Sequence, residues 1–279
     1  MALNRANHII GGEGTTNMTE TRITNSADGT PIAFEVAGVG DPIVLVEPAG
    51  HFRGFSAFDE LRPLLTDRFT VYSFDRRGRG DSGDASVYYP SREVEDLAVI
   101  LGIIERPAFV YGYSSGALLA LHCAAKGLPI QKLALLEPPL QAPGSGPDPL
   151  TQELAVLVGE GRYADAVEYF HLSIGVPAEH VTQMQGSEAF EKMTVIAPTL
   201  VYDCRISEAT DAELLGAVHV PTLVLDSQGS TDNLTGWAAS VARQLPNATH
   251  RSLPGQWHSG DSNVLAAALV KYFQEPNRS

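Results

Sequence analysis

The chain is 279 residues long, 44% apolar and 19% charged, with a formal net charge of −14. That length is large for one ordinary domain and short for two, which suits a single α/β core carrying an insertion, and the apolar share is enough to bury a substantial interior. The acidic balance excludes nucleic acid and anionic membrane as partners, because both would repel such a surface.

Residues 1–18 are rich in Gly and Thr without periodicity, and we expect a disordered extension there. No run approaches the roughly 20 apolar residues of a membrane helix, and the N-terminus lacks the order of a signal peptide. The two cysteines, Cys123 and Cys204, stand at no metal-ligand or redox spacing, so a reducing cytoplasm is the expected compartment. Thr21 to Asn25 and Ile32 to Val36, separated by Asp28-Gly29, read as a β-hairpin. Ile43 to Val46 is a continuous apolar run typical of a strand buried on both faces, and it stops at Glu47-Pro48-Ala49-Gly50. Residues 56–65 carry apolar positions at helical spacing, Phe69 to Phe74 returns as a strand, and the polar turn Asp75 to Gly83 follows.

From Ser91, which can cap it, a helix is expected with Val94, Leu97, Leu101 and Ile104 along one stripe. Ala108 to Tyr111 is another buried strand, followed by Gly112-Tyr113-Ser114-Ser115-Gly116 and a helix-like run from Ala117 to Ala125, closed by Gly127 and Pro129. Leu133 to Leu136 is a further strand. The alternation from 43 to 136 implies a mostly parallel sheet covered on both sides. It stops at Pro138. Residues 141–216 read as several short helices, a helical cap inserted into a core formed by 19–140 and 217–279. Pro221 to Leu225 restarts the pattern; a helix through Trp237 and Val241, a strand near His250 to Leu253, and a last helix with Val264, Leu265, Ala268, Leu269 and Tyr272 on one face complete it.

A serine between glycines two residues away on each side, placed between a strand and a helix, is the pattern of a nucleophile elbow. With it, the Asp75 to Gly83 turn, the position of the cap and Gly255-Gln256-Trp257-His258 near the end, the chain resembles the α/β-hydrolase superfamily over residues 19–275. The resemblance implies that fold, with Ser114 as nucleophile and His258 as base. Chemistry asks for the same pair, since a serine hydroxyl is a poor nucleophile until an imidazole takes its proton.

The acid is open between two positions. The usual aspartate would fall close to Gly229, which cannot serve, and Asp232 lies somewhat beyond. Glu137, after the strand Leu133 to Leu136, is the favoured acid. Some members of the superfamily, the fungal zearalenone-type lactonases among them, are similar in carrying a glutamate there. Glu47-Pro48 stands where many relatives have His-Gly; Pro48 has no N–H, so the backbone N–H groups of Ala49 and Ser115 are the candidate oxyanion hole. Glu47 can orient a loop, bind Arg53 or meet the substrate. Glu47, Gly50, His51, Tyr113 and Trp257 are candidate substrate contacts, and His122 is expected to be structural.

The arginines of the 75–83 turn suit either an anion site or, as the resemblance implies, a structural turn. No metal or cofactor is expected: there is no phosphate loop, His pair at metal spacing or dinucleotide fingerprint. The expectation is a serine-dependent hydrolase acting through an acyl-enzyme on a small apolar or aromatic ester or lactone. A carbon-carbon bond hydrolase, lyase or cyclase on the same scaffold, or a non-catalytic binding protein, is the alternative. The oligomeric state stays open, a homo-oligomer included.

Overall fold

Alternating side chains of the central strands enter two different cores, and that alternation builds the molecule. Val44, Val46 and Val110 join one buried cluster, while Ile43, Leu45, Phe109 and Tyr111 join another on the opposite face of the sheet. The computed structural model describes residues 20–140 and 148–276, without the side chain of Asp232. The expected extension at 1–18 and the first part of the expected cap, 141–147, lie outside the described residues.

Among the described residues, eight strands form the sheet: β1 (Arg22–Asn25), β2 (Pro31–Gly38), β3 (Asp41–Val46), β4 (Phe69–Phe74), β5 (Ala108–Tyr113), β6 (Ile130–Leu136), β7 (Thr222–Ser227) and β8 (Ala248–Leu253). Their order is β1-β2-β4-β3-β5-β6-β7-β8, with β2 antiparallel to β1 and to β4 and every later pairing parallel. Successive connections leave β3 toward β4 on one side and reach β5 on the other. The carboxyl ends of β3 and β5 therefore flank the switch point at which open α/β sheets bind their ligands. The chain has the α/β-hydrolase fold.

Helices α1 (Leu61–Leu65) and α11 (Ser262–Gln274) cover one face; α2 (Pro90–Ile104), α3 (Ser115–Ala125) and α10 (Asp232–Gln244) cover the other. Between β6 and β7 come α4 (Pro149–Gly159), α5 (Tyr163–Ser173), α6 (Ala178–Met184), α7 (Glu188–Val195), a 3-10 turn at Ala197–Thr199, α8 (Leu200–Glu208) and α9 (Ala212–Gly216). Leu154, Leu157, Phe170, Phe190, Met193 and Leu200 form a third core within this helical insertion. A short antiparallel pair, β9 (Gly255–Gln256) and β10 (Ser259–Gly260), brackets Trp257 and His258 as a two-residue turn.

Three local expectations are corrected. The helix expected over 56–65 contracts to α1, because the Ala57 amide and the Ser56 hydroxyl are committed to the Glu47 carboxylate. The Ser91 cap is displaced: Tyr89 holds the N-cap position in extended backbone and Pro90 opens α2, where its fixed φ and missing N–H suit the first turn. On α11 the buried residues are Leu265, Ala266, Leu269 and Phe273, and the expected Tyr272 packs partly buried on the same core, so the inward face departs from expectation at Val264 and Ala268, in favour of Ala266 and Phe273. Among the described residues, no helix is long and apolar enough to cross a membrane.

Candidate active site

Strand register brings the candidate residues together. Val46 pairs with Gly112 across β3 and β5, so Glu47-Pro48-Ala49 leaves the sheet beside the elbow. Tyr113 pairs with Leu136 across β5 and β6, so Glu137 leaves it next to Ser114. Ser114 has φ 53° and ψ −123° at the strand-to-helix turn. The flanking glycines are required by space: a Cβ on Gly112 would lie 2.6 Å from the Ala117 Cα, and one on Gly116 would lie 2.2 Å from the Val46 carbonyl oxygen.

Four non-glycine residues among those described have positive φ: Glu105, which ends α2, and Ser114, Glu137 and His258. Such backbone costs on the order of 1–3 kcal/mol per residue and persists only where the surroundings fix it. Here each of the latter three is tied to its neighbour. Ser114 N donates to Leu136 O at 2.8 Å, Glu137 N to Leu225 O at 2.9 Å, and His258 N to Ser230 Oγ at 2.9 Å.

His258 Nδ1 lies 2.5 Å from Glu137 Oε2, while Glu137 Oε1 accepts from Ser227 N at 2.8 Å. Burial pushes the Glu137 carboxyl up, but hydrogen bonds from His258, Ser230 and the Ser227 amide outweigh it and hold the group below the usual glutamate value. Gly229, where the usual aspartate would fall, packs against the His258 loop: a Cβ there would lie 2.5 Å from Gly255 O. The loop after β7 therefore has no room for a side chain at that position. Asp232 begins α10, its side chain being outside the description.

Ser114, Ser115, His258 and Ala49 line one cavity of about 420 Å³ under the helical insertion. Its walls include Leu140, Leu150, Phe170, Leu234 and both tryptophans of the chain, Trp237 and Trp257. Ser115 is the first residue of α3, so its N–H has no partner within the helix and the positive end of the helix dipole points to the elbow.

Of the five candidate substrate contacts, Trp257 lines the cavity, while Glu47, His51 and Tyr113 have other partners. The Glu47 side chain is buried against Ser56 Oγ and accepts from Ala57 N at 3.1 Å; burial pushes its carboxyl up to about 7, the Ser56 and Ala57 hydrogen bonds pulling the other way. It does not bind Arg53, which pairs with Glu35, Asp75 and Asp81. Gly50, at φ 72°, faces Met193. His51 stacks on Phe55 and its Nδ1 is 2.9 Å from Ala49 O, while Tyr113 donates to the His258 carbonyl and borders a separate cavity. His122 Nε2 meets Thr210 Oγ1 at 3.0 Å.

The arginines of the 75–83 turn are interior and paired. Arg77 holds Asp96 through two 2.7 Å hydrogen bonds, and Arg76 holds Glu93 likewise at 2.6 and 2.9 Å. Sequence reasoning misses the other partner, Asp203 on α8, which reaches the cavity wall. Its Oδ1 accepts from Arg76 Nη1 at 2.6 Å and from Ser115 Oγ at 2.7 Å; its Oδ2 accepts from Arg79 Nη2 at 2.7 Å. Burial pushes the Asp203 carboxyl up, but the charges of Arg79 and Arg76 win and hold it below the ordinary range. An uncommon excess of arginine in one turn is the signal that a buried carboxylate must come from elsewhere.

The model of the alpha/beta hydrolase family matches residues 36–268. An α/β hydrolase from Sphaerobacter thermophilus is similar at 40% identity, with a TM-score of 0.83 over 91% of this chain and 100% of that one. A thermophilic esterase from Thermogutta terrifontis superposes with a TM-score of 0.68 at 20% identity over 91% of this chain and 98% of its own. A bromoperoxidase from Bacillus anthracis gives 0.71 at 17% identity over 92% and 100%. The chain belongs to the α/β-hydrolase family and is an enzyme of the hydrolase type.

Proposed function

We propose that the protein is a serine-dependent hydrolase that cleaves a carboxylic ester, a lactone being the sharper form of the reading. The observation that carries it is the His258–Glu137 hydrogen bond at 2.5 Å, made beside an elbow serine that lines the same cavity as His258. Glu137 holds the imidazole in the tautomer that leaves Nε2 free to accept the Ser114 proton and stabilises the imidazolium that forms. Ser114 Oγ attacks the carbonyl carbon. The N–H groups of Ala49 and Ser115 receive the oxyanion, and His258 returns its proton to the departing alkoxide. Water, deprotonated by His258, then attacks the acyl group and releases the acid from Ser114.

The apolar and aromatic walls favour a small apolar or aromatic substrate. The lactone form is supported by the acid's position after β6, which the lactonase-like members share. The buried, unpaired thiols of Cys123 and Cys204 support a reducing cytoplasm as the compartment. The test is mass spectrometry after a fluorophosphonate probe, together with turnover of matched open-chain esters and lactones. Adduct on Ser114 and activity abolished by Ser114→Ala are expected; undiminished turnover by Ser114→Ala would sink the proposal.

A further inference from the structure

Arg79 makes three contacts that share one consequence. Nη1 donates to Pro48 O at 2.7 Å and to His51 O at 3.2 Å, and Nη2 donates to Asp203 Oδ2 at 2.7 Å. The Pro48 carbonyl and the Ala49 N–H belong to one planar peptide unit, and in a trans peptide they point in opposite directions. The described chain has no cis peptide. A cation seated on the Pro48 oxygen therefore fixes where the Ala49 N–H points, and by polarising the peptide it strengthens that N–H as a donor.

The same aspartate reaches the other oxyanion residue, through Ser115 Oγ, and Arg76 grips the Glu47 carbonyl at 3.2 Å one peptide upstream. Arg79 and Asp203 side chains are 1% and 3% exposed, so neither the charge nor the geometry is softened by solvent. Among the described residues, the buried Arg79 Nε–H has no acceptor. The guanidinium is thus placed to serve the Pro48 carbonyl and Asp203 at the expense of its own full hydrogen bonding.

We infer that Arg79, held by Asp203 of the helical insertion, is a positioning residue for the oxyanion hole, turning the Pro48–Ala49 peptide so that its N–H meets the developing charge. The inference rests on the serine-hydrolase reading. It also explains how a loop with proline in the usual oxyanion dipeptide keeps a fixed donor: an arginine on the carbonyl side replaces the restraint that a hydrogen-bonded amide would give. Because Asp203 lies on α8, the hole is complete only when the insertion is seated on the core.

The test uses Arg79→Met, Arg79→Lys and Asp203→Asn in the full chain, with p-nitrophenyl butyrate as probe substrate and phenylboronic acid as a tetrahedral adduct former. Lysine keeps the charge, but a single ammonium cannot span Pro48 O and Asp203 as the fork does. Arg79→Met is expected to lower kcat about 100-fold with KM within threefold, and Arg79→Lys about tenfold. Boronate inhibition should weaken in step with kcat, a change that simple loss of packing does not produce. Arg79→Lys with an unfolding midpoint near that of the parent guards against a methionine variant that fails to fold.

A folded Arg79→Lys or Arg79→Met with kcat and boronate affinity within threefold of the parent would overturn the inference. So would a loss carried by KM alone. Retained turnover in Ser114→Ala would instead overturn the serine-hydrolase reading, so the two failures are distinct.

Discussion

On the sheet side of the cavity, the Ser114 and Glu137 amides are fixed by carbonyls of the neighbouring strands β6 and β7 and the His258 amide by the Ser230 hydroxyl in the loop after β7, while on the cap side Asp203 is fixed by three side chains lying 88, 124 and 127 residues away in the chain. The first arrangement is a property of register: once β3, β5, β6 and β7 pair, the three turns have little freedom left. The second is a property of docking, in which four charged or polar groups leave water together and hold their geometry only while the insertion sits on the core. A site of this kind joins a rigid floor to a wall whose placement is conditional.

Removing the proposed nucleophile is the largest expected effect on the floor: Ser114→Ala should lower kcat by roughly 10⁵–10⁶-fold and abolish probe labelling. Glu137→Gln comes next. It should lower kcat about 10³–10⁴-fold in steady-state assays while leaving the fold intact, because an amide cannot hold the imidazole tautomer. Adding Gly229→Asp to that variant tests whether the acid can move to the more usual loop. No recovery is expected, since the new Cβ would meet the Gly255 carbonyl at 2.5 Å; recovery would show that register does not confine the acid to β6.

The wall is probed by Leu154→Ala, which empties a fully buried position of the third core. A loss of about 2–5 kcal/mol in urea unfolding is expected. Hydrogen exchange should accelerate in α4, α5 and α8 ahead of β5 and β6. Uniform acceleration would mean that wall and floor unfold as one unit.

The smallest effect concerns Glu47. Its folded-state carboxyl, raised to about 7 from 4.5, keeps a proton that the unfolded chain releases, so the group's contribution to stability falls as pH rises from about 4.5 through 7. Glu47→Gln should remove that slope, its stability relative to the parent rising across this window by roughly 3 kcal/mol at most. Parallel pH profiles of the two proteins in chemical denaturation would contradict it.

Much of the floor is legible in the residues. Gly112 and Gly116 announce the elbow because only glycine fits those two contacts, and apolar runs such as Ile43 to Val46 announce a buried parallel sheet. The acid is half legible. The residues leave Glu137 and Asp232 open, and what links Glu137 to His258 is a hydrogen bond across 121 residues. Asp203 is illegible as a partner: it sits in a short helix without a motif, and its role exists only once α8 lies over the 75–83 turn. Glu47 is legible in part, since orienting a loop is one of the three roles its sequence position leaves open. A carboxylate beside an oxyanion loop looks like a substrate contact, yet the backbone turns it inward to close the loop through Ser56 and Ala57.

The placement of Trp237 and Trp257 has an optical consequence. The chain holds no other tryptophan, so both of its indole emitters border the cavity beneath the cap. Their fluorescence is a label-free signal for events in that space: filling of the cavity, entry of a quencher and lifting of the cap each alter the same small set of photons. Stopped-flow emission can thus time the seating of the insertion in the absence of substrate, before any turnover begins.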